Sequence, residues 1–146
     1  MVYNERITPQ FINKLKHNEV FVFGSNTLGR HGKGAAKDAL KFGAKYGHGE
    51  GLFGKTYAIP TKGVDLSKAF SIDEIKYYVE GFVEHVKNHP NNIYLVTDVG
   101  CGLAGYKPRD IAPLFKDLVN VKNAYFSTGF WKILKKYIQS NDENTL

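Results

Sequence analysis

Residues 96–108 read Val-Thr-Asp-Val-Gly-Cys-Gly-Leu-Ala-Gly-Tyr-Lys-Pro, and within them 100–105 is a G-x-G-x-x-G run. Such a run serves a dinucleotide fingerprint, a cysteine nucleophile in a glycine nest, or a phosphate-binding turn. A Rossmann fingerprint occupies the first strand-to-helix turn of its unit, with an acid about twenty residues on to meet the ribose. Here the run follows the third predicted strand, 93–97, and residues 120–122 hold no acid. A dehydrogenase is therefore disfavoured. Taken alone, the glycines would mean only a tight turn into the helix that Pro108 opens.

A second glycine-rich loop changes that reading. The apolar run 20–23, of the kind found in a strand covered on both faces, leads into 24–34, which holds four glycines in eleven residues. The segment 24–31 misses a Walker A by two residues, Arg30 and His31 standing where lysine and Ser/Thr belong, so ATP hydrolysis is not expected. What remains is a loop whose glycines let backbone N–H groups approach an anion as the chain enters a helix. Two such loops on one sheet edge suggest a pocket that holds a pyrophosphate between them.

The rest of the chain alternates strand and helix. Thr8 and Pro9 predict a helix over 8–17, and Ala35, Ala36, Ala39 and Leu40 predict one to about residue 44. Residues 46–55 read as a further glycine-rich loop and 56–60 as the second strand. Ser71 and Glu74 form a capping-box pattern ahead of the apolar stripe Ile72, Ile75, Val79, Phe82, Val83 and Val86. Helices are predicted over 108–118 and 130–139, a short strand over 124–126, and a frayed tail over 140–146. This order predicts one α/β domain, 1–139, with a mostly parallel sheet whose carboxyl-edge loops, 24–34, 61–63, 98–107 and 127–129, converge on one site.

Composition agrees. The chain has 146 residues, 42% hydrophobic and 14% aromatic, with a formal charge of +6. It carries no apolar run long enough to span a bilayer and no signal-peptide pattern, so a cytoplasmic protein with no membrane partner is expected. Its charge favours anionic partners: nucleic acid, anionic lipid or small phosphorylated ligands. Cys101, the single cysteine, is a nucleophile only if His31 or His48 activates it, and the commoner reading is a small inert residue beneath a loop. Lys33, Lys37, Lys41 and Lys45 recur every four residues as a ridge that suits either a phosphate backbone or a solvated face. His85 and His89, at i and i+4, lack a third ligand, so they read as surface residues and no metal is expected.

With both loops placed, the chain resembles a compact member of the macro domain superfamily, whose three-layer α/β/α sandwich binds ADP-ribose and related nucleotides. Val20-Phe-Val-Phe-Gly-Ser-Asn26 resembles the strand that ends in the family's asparagine. Gly29-Arg-His-Gly32-Lys-Gly34-Ala-Ala36 resembles its first glycine-rich loop and helix, and Gly49-Glu-Gly51 through Tyr57-Ala-Ile-Pro60 its middle loop and strand. Val99-Gly-Cys-Gly-Leu-Ala-Gly-Tyr-Lys-Pro108 resembles its second phosphate loop. These matches span about ninety residues in the family's order. Departures are Arg30, His31 and Lys33 among the first-loop glycines, Gly100-Cys101-Gly102 for the usual serine-threonine-glycine, and no clear early aspartate to hold adenine.

The resemblance implies an ADP-ribose-like ligand and no cofactor. Its phosphates would meet Gly24, Ser25, Asn26, Gly29, Gly32, Lys33, Gly34 and Ala35 of the first loop, Thr61, and Gly100, Cys101, Gly102, Leu103, Ala104, Gly105 and Tyr106 of the second. Asn26 would hold the ribose nearest the reacting bond and Tyr106 would pack on that sugar. In hydrolytic relatives a positioned water attacks the anomeric carbon, and Asn26, His31 and Asp98 are the catalytic candidates here. The implied reactions are hydrolysis of an ADP-ribosyl bond or removal of phosphate from ADP-ribose phosphate. The other readings are a non-catalytic ADP-ribose reader, and a nucleic-acid binder working through the lysine ridge. An ADP-ribosylated protein or nucleic acid is then the macromolecular partner.

Overall fold

The computed structural model describes residues 6–138. Five strands, β1 (Glu19–Asn26), β2 (Gly51–Phe53), β3 (Thr56–Lys62), β4 (Ile93–Val96) and β5 (Ala124–Phe126), form one sheet in the order β2-β3-β1-β4-β5. All neighbours are parallel except β2, which runs antiparallel to β3. The sheet is thus mixed and mostly parallel, as the sequence predicts.

Alternation along β1 splits the core in two. Val20 and Val22 face a large cluster built with the helices α2 (Ile72–Asn88), α3 (Pro108–Ile111) and α4 (Thr128–Leu134), together with 3-10 turns at Ala112–Leu118 and Lys135–Tyr137. Phe21 and Phe23 face a small cluster under α1 (Gly34–Ala39) and the 3-10 turn Leu40–Phe42. Helices therefore cover both faces of the sheet, thickly on one side and thinly on the other.

Local chemistry explains the secure elements. Ser71 accepts from the Glu74 N–H and Glu74 accepts from the Ser71 N–H, so α2 starts at the predicted capping box. Its apolar stripe, Ile75, Val79, Phe82, Val83 and Val86, is buried.

Three predictions are corrected. Residues 8–17 form no helix: Ile7 bridges Phe126, and the Thr8 N–H donates to the Phe126 carbonyl at 2.9 Å, drawing the chain out along β5. Downstream, Ile12 and Leu15 pack on the small cluster from an irregular segment. Within the predicted loop 46–55 lies β2, joined to β3 by Gly54 and Lys55. Gly54 has φ +59, the conformation glycine supplies in two-residue hairpins. Strand β3 also runs past Pro60 to Lys62, because Pro60 lies beside the register shift at Ser25 and Asn26, where a missing N–H is tolerated. The predicted tail, 140–146, lies outside the described residues. No helix among those described is long and apolar enough to cross a membrane.

Candidate functional site

The carboxyl ends of β1, β3 and β4 open into a cleft of about 790 Å³, within the range of pockets that hold small-molecule ligands. Its walls are the two glycine-rich loops. The glycine at the end of β1 sets their separation: a Cβ on Gly24 would stand 3.3 Å from the Gly100 N–H nitrogen, tighter than ordinary contact.

The first jaw is held by Asn26. Its Nδ2 donates to the Arg30 carbonyl at 2.8 Å and its Oδ1 accepts from the Arg30 N–H at 2.9 Å. Gly29, at φ +69, closes the turn by donating to the Asn26 carbonyl at 2.9 Å. Lys33 then precedes α1 in an extended conformation and gives it no side-chain cap, so the N–H groups of the first turn remain for another acceptor. Gly32, Lys33, Gly34, Ala35 and Ala36 line the cleft there.

Beneath this jaw lies the loop 46–50. The Ser25 hydroxyl donates to the Gly49 carbonyl, and the Gly47 N–H donates to the Gly29 carbonyl at 3.1 Å. Side chains on Gly29 or Gly49 would collide with the backbone of His48 or Asn26. The loop 46–50 is thus a seat for the first jaw, not a third jaw.

In the second jaw the Cys101 N–H donates to the Asp98 carbonyl at 3.0 Å, the Gly105 N–H to Gly102 at 3.0 Å and the Tyr106 N–H to Gly100 at 2.9 Å. Gly100 has φ +78 and Gly105 φ +84. Thr97 ties β4 to β1, its hydroxyl donating to the Val22 carbonyl at 2.7 Å. On the third side Thr61 is buried and donates to the Ser25 carbonyl at 3.2 Å.

Most of the predicted positions meet in this cleft: Gly24, Ser25, Asn26, Gly32, Lys33, Gly34, Ala35, Thr61, Asp98 and the segment 100–104. Gly29, Gly105 and Tyr106 do not line it. Gly29 is pressed against the loop below, and the Tyr106 hydroxyl donates to the Phe70 carbonyl at 2.5 Å beside the large core.

His31 is a correction. Its side chain is fully buried, with Phe23 edge-on at 5.4 Å and Tyr46 at 5.8 Å. Its Nε2 lies 3.0 and 3.1 Å from the carbonyls of Lys45 and His48, so it carries the proton and pins the loop below. It does not line the cleft. His85 is a smaller correction: it is half-buried and hydrogen-bonded to the Tyr94 hydroxyl at 2.7 Å, and burial, then His89, push its pKa down.

Asp98 is exposed on the cleft wall and accepts from the Ser127 hydroxyl at 2.5 Å, while Ser127 itself accepts from the Phe130 N–H as cap of α4. The Cys101 thiol is pushed up to about 11 by burial and then by Asp98 and Asp110. That shift disfavours the thiolate a nucleophile needs, and His31, one of the two candidate bases, is bonded to the loop below instead. The sequence did not single out Arg30, Lys62, Leu66 and Thr97 as wall residues. For Lys62 the signal was the neighbouring Thr61: one more residue of β3 brings Lys62 into register with Asn26. Among the described residues no group of three His, Cys, Asp or Glu side chains is arranged to hold a metal ion.

No family profile and no curated protein matches the chain. Among solved structures it is similar to Thermosipho africanus DarTG in complex with ADP-ribose, at a TM-score of 0.55 and 20% identity over 87% of this chain. The fold is macro domain-like. The match covers 47% of the DarTG chain, so this chain spans about half the length of that protein. The two jaws flank the cleft at the carboxyl edge of the sheet, one following β1 and the other β4.

Proposed function

We propose that this chain binds ADP-ribose in the cleft, its diphosphate lying between the two glycine-rich jaws, and hydrolyses an ADP-ribosyl bond. The observation that carries the reading is the uncapped start of α1 and the segment 100–104 lining one cleft, in a fold shared with a protein solved with ADP-ribose. Arg30, Lys33 and Lys62 on the wall add positive charge for the phosphates. Asn26 keeps a lone pair and one N–H beyond its bonds to Arg30, enough to hold a ribose hydroxyl. Asp98 takes the proton of a water that adds to the anomeric carbon as the bond to the leaving group breaks.

A binding-only reader is the second reading, and one observation favours it. The wall pairs no nucleophile with a base: the Cys101 thiol is directed to the Val99 carbonyl and one Asp98 oxygen accepts from Ser127. Calorimetry with ADP-ribose tests the binding, and incubation with ADP-ribosylated protein and with ADP-ribose phosphate separates the readings. Release of free ADP-ribose supports the hydrolase. Binding with both substrates intact over hours supports the reader, and the absence of heat rejects both.

A further inference from the structure

We propose that Thr61 is a positioning residue that sets the gap between the two jaws, and that this gap makes the cleft prefer a diphosphate to a single phosphate. The inference rests on the ADP-ribose reading of the same cleft. Strands β3 and β4 are not neighbours, because β1 lies between them. The first jaw follows β1 and the second follows β4. Thr61, buried near the end of β3, still reaches both. A Cβ built on Gly24 would stand 3.5 Å from the Thr61 Cγ2, and one built on Gly100 would stand 3.8 Å from the same methyl. The methyl reaches across β1 because Gly24 puts no side chain in its way. One methyl group therefore faces the roots of both jaws.

Hydrogen bonds fasten the same residue to each side. The Thr61 hydroxyl donates to the Ser25 carbonyl at 3.2 Å, where the register of β1 and β3 shifts between Ser25 and Asn26. Asn26 is the residue that holds the first jaw through Arg30. On the other side the Thr61 carbonyl accepts from the Phe70 N–H at 2.7 Å, and the Phe70 carbonyl accepts from the hydroxyl of Tyr106, at the end of the second jaw. Spacing matters here because the phosphate donors are backbone N–H groups, which cannot extend toward a ligand as a lysine does. Held apart by Thr61, both jaws reach a diphosphate, whereas a single phosphate meets one of them.

The test is titration calorimetry of the full chain and its variants with ADP-ribose and with AMP, which carries the same adenosine and one phosphate. Thr61→Ser keeps the bond to Ser25 and removes the methyl. It is expected to weaken ADP-ribose binding at least about tenfold and AMP binding less than about twofold, so the preference between them narrows. Thr61→Val keeps the methyl, removes the donor to Ser25, and should narrow the preference by about threefold. Gly24→Ala places a methyl 3.5 Å from Thr61 Cγ2 and 3.3 Å from the Gly100 nitrogen, so alone it also narrows the preference. Combined with Thr61→Ser it should recover at least about threefold, because the new methyl takes the place of the one removed. Equal weakening of both ligands, which marks general destabilisation, would overturn the proposal. So would an unchanged preference in Thr61→Ser, or purely additive losses in the double variant. In each of these results the parent still binds ADP-ribose and the cleft reading stands; no heat from the parent with ADP-ribose rejects both.

Discussion

Gly49 packs so closely under Asn26 that a methyl group built on it would overlap the Asn26 carbonyl oxygen. The Ser25 hydroxyl bonds the Gly49 carbonyl from the same side, so the end of β1 and the loop 46–50 form one unit. A substitution on the lower loop must therefore move the upper jaw. Gly49→Ala is expected to destabilise the fold by about 1–3 kcal/mol, as overpacking does, which lowers Tm by about 2–4 °C per kcal/mol in a chain of this size. It should also weaken ADP-ribose binding although Gly49 does not line the cleft. Differential scanning calorimetry and titration calorimetry check the two halves; an unchanged Tm would mean the loops are not coupled.

Two glycines of the second jaw separate folding from binding. Gly100 has φ +78, and a Cβ there would meet Ile111 Cδ1 at 3.0 Å, so Gly100→Ala strains both backbone and core and should cost about 1–3 kcal/mol. Gly102 lines the cleft with nothing within 4 Å of a built Cβ. Gly102→Ala should leave stability within about 0.5 kcal/mol of the parent and lower ADP-ribose affinity by narrowing the cleft. Equal Tm losses in the two variants would count against this placement of the loop.

Asp98 carries the hydrolytic reading. Asp98→Asn should lower turnover by about 10²–10⁴, the range of a general base, while leaving ADP-ribose affinity within a few fold. Ser127→Ala removes both the hydrogen bond to Asp98 and the cap of α4, so it should lower turnover less and reduce stability by about 0.5–2 kcal/mol. Single-turnover release of ADP-ribose measures the first effect. Full activity in Asp98→Asn would remove the base assignment.

Cys101 gives a pH test. Its thiol is pushed up to about 11, so the thiolate fraction at pH 8 is below that of an ordinary cysteine, and alkylation should be slower than for a cysteine peptide. The rate should keep rising with pH toward about 11 instead of levelling near the usual thiol range. Cys101→Ser should retain turnover. Labelling at pH 7 that outpaces the peptide would restore the nucleophile.

Elements specified by local chemistry were legible in the sequence. The Ser71–Glu74 box, the stripe from Ile75 to Val86 and the glycine runs at both jaws needed no tertiary information, and they pointed to the α/β order and to the sheet edge where the cleft opens. The misses arise from long-range contacts. Thr8 and Pro9 carry a helix-start signal, but pairing with Phe126, far along the chain, overrides it. In β2 the hairpin glycine at position 54 was hidden among glycines that serve as packing surfaces. His31 read as a loop donor because nothing in its neighbourhood shows that Phe23 and Tyr46 enclose it. Lys62 reaches the wall only once β1 and β3 are in register, and Arg30 only once Asn26 folds the loop back on itself.

Titration calorimetry with ADP-ribose, alongside adenosine, tests the central claim most directly. If the two jaws clamp a diphosphate, ADP-ribose binds at one site with a dissociation constant on the order of micromolar. Adenosine, which has no phosphate, then gives little or no heat. Equal binding of adenosine and ADP-ribose, or no heat from ADP-ribose at about millimolar concentration, would contradict the account.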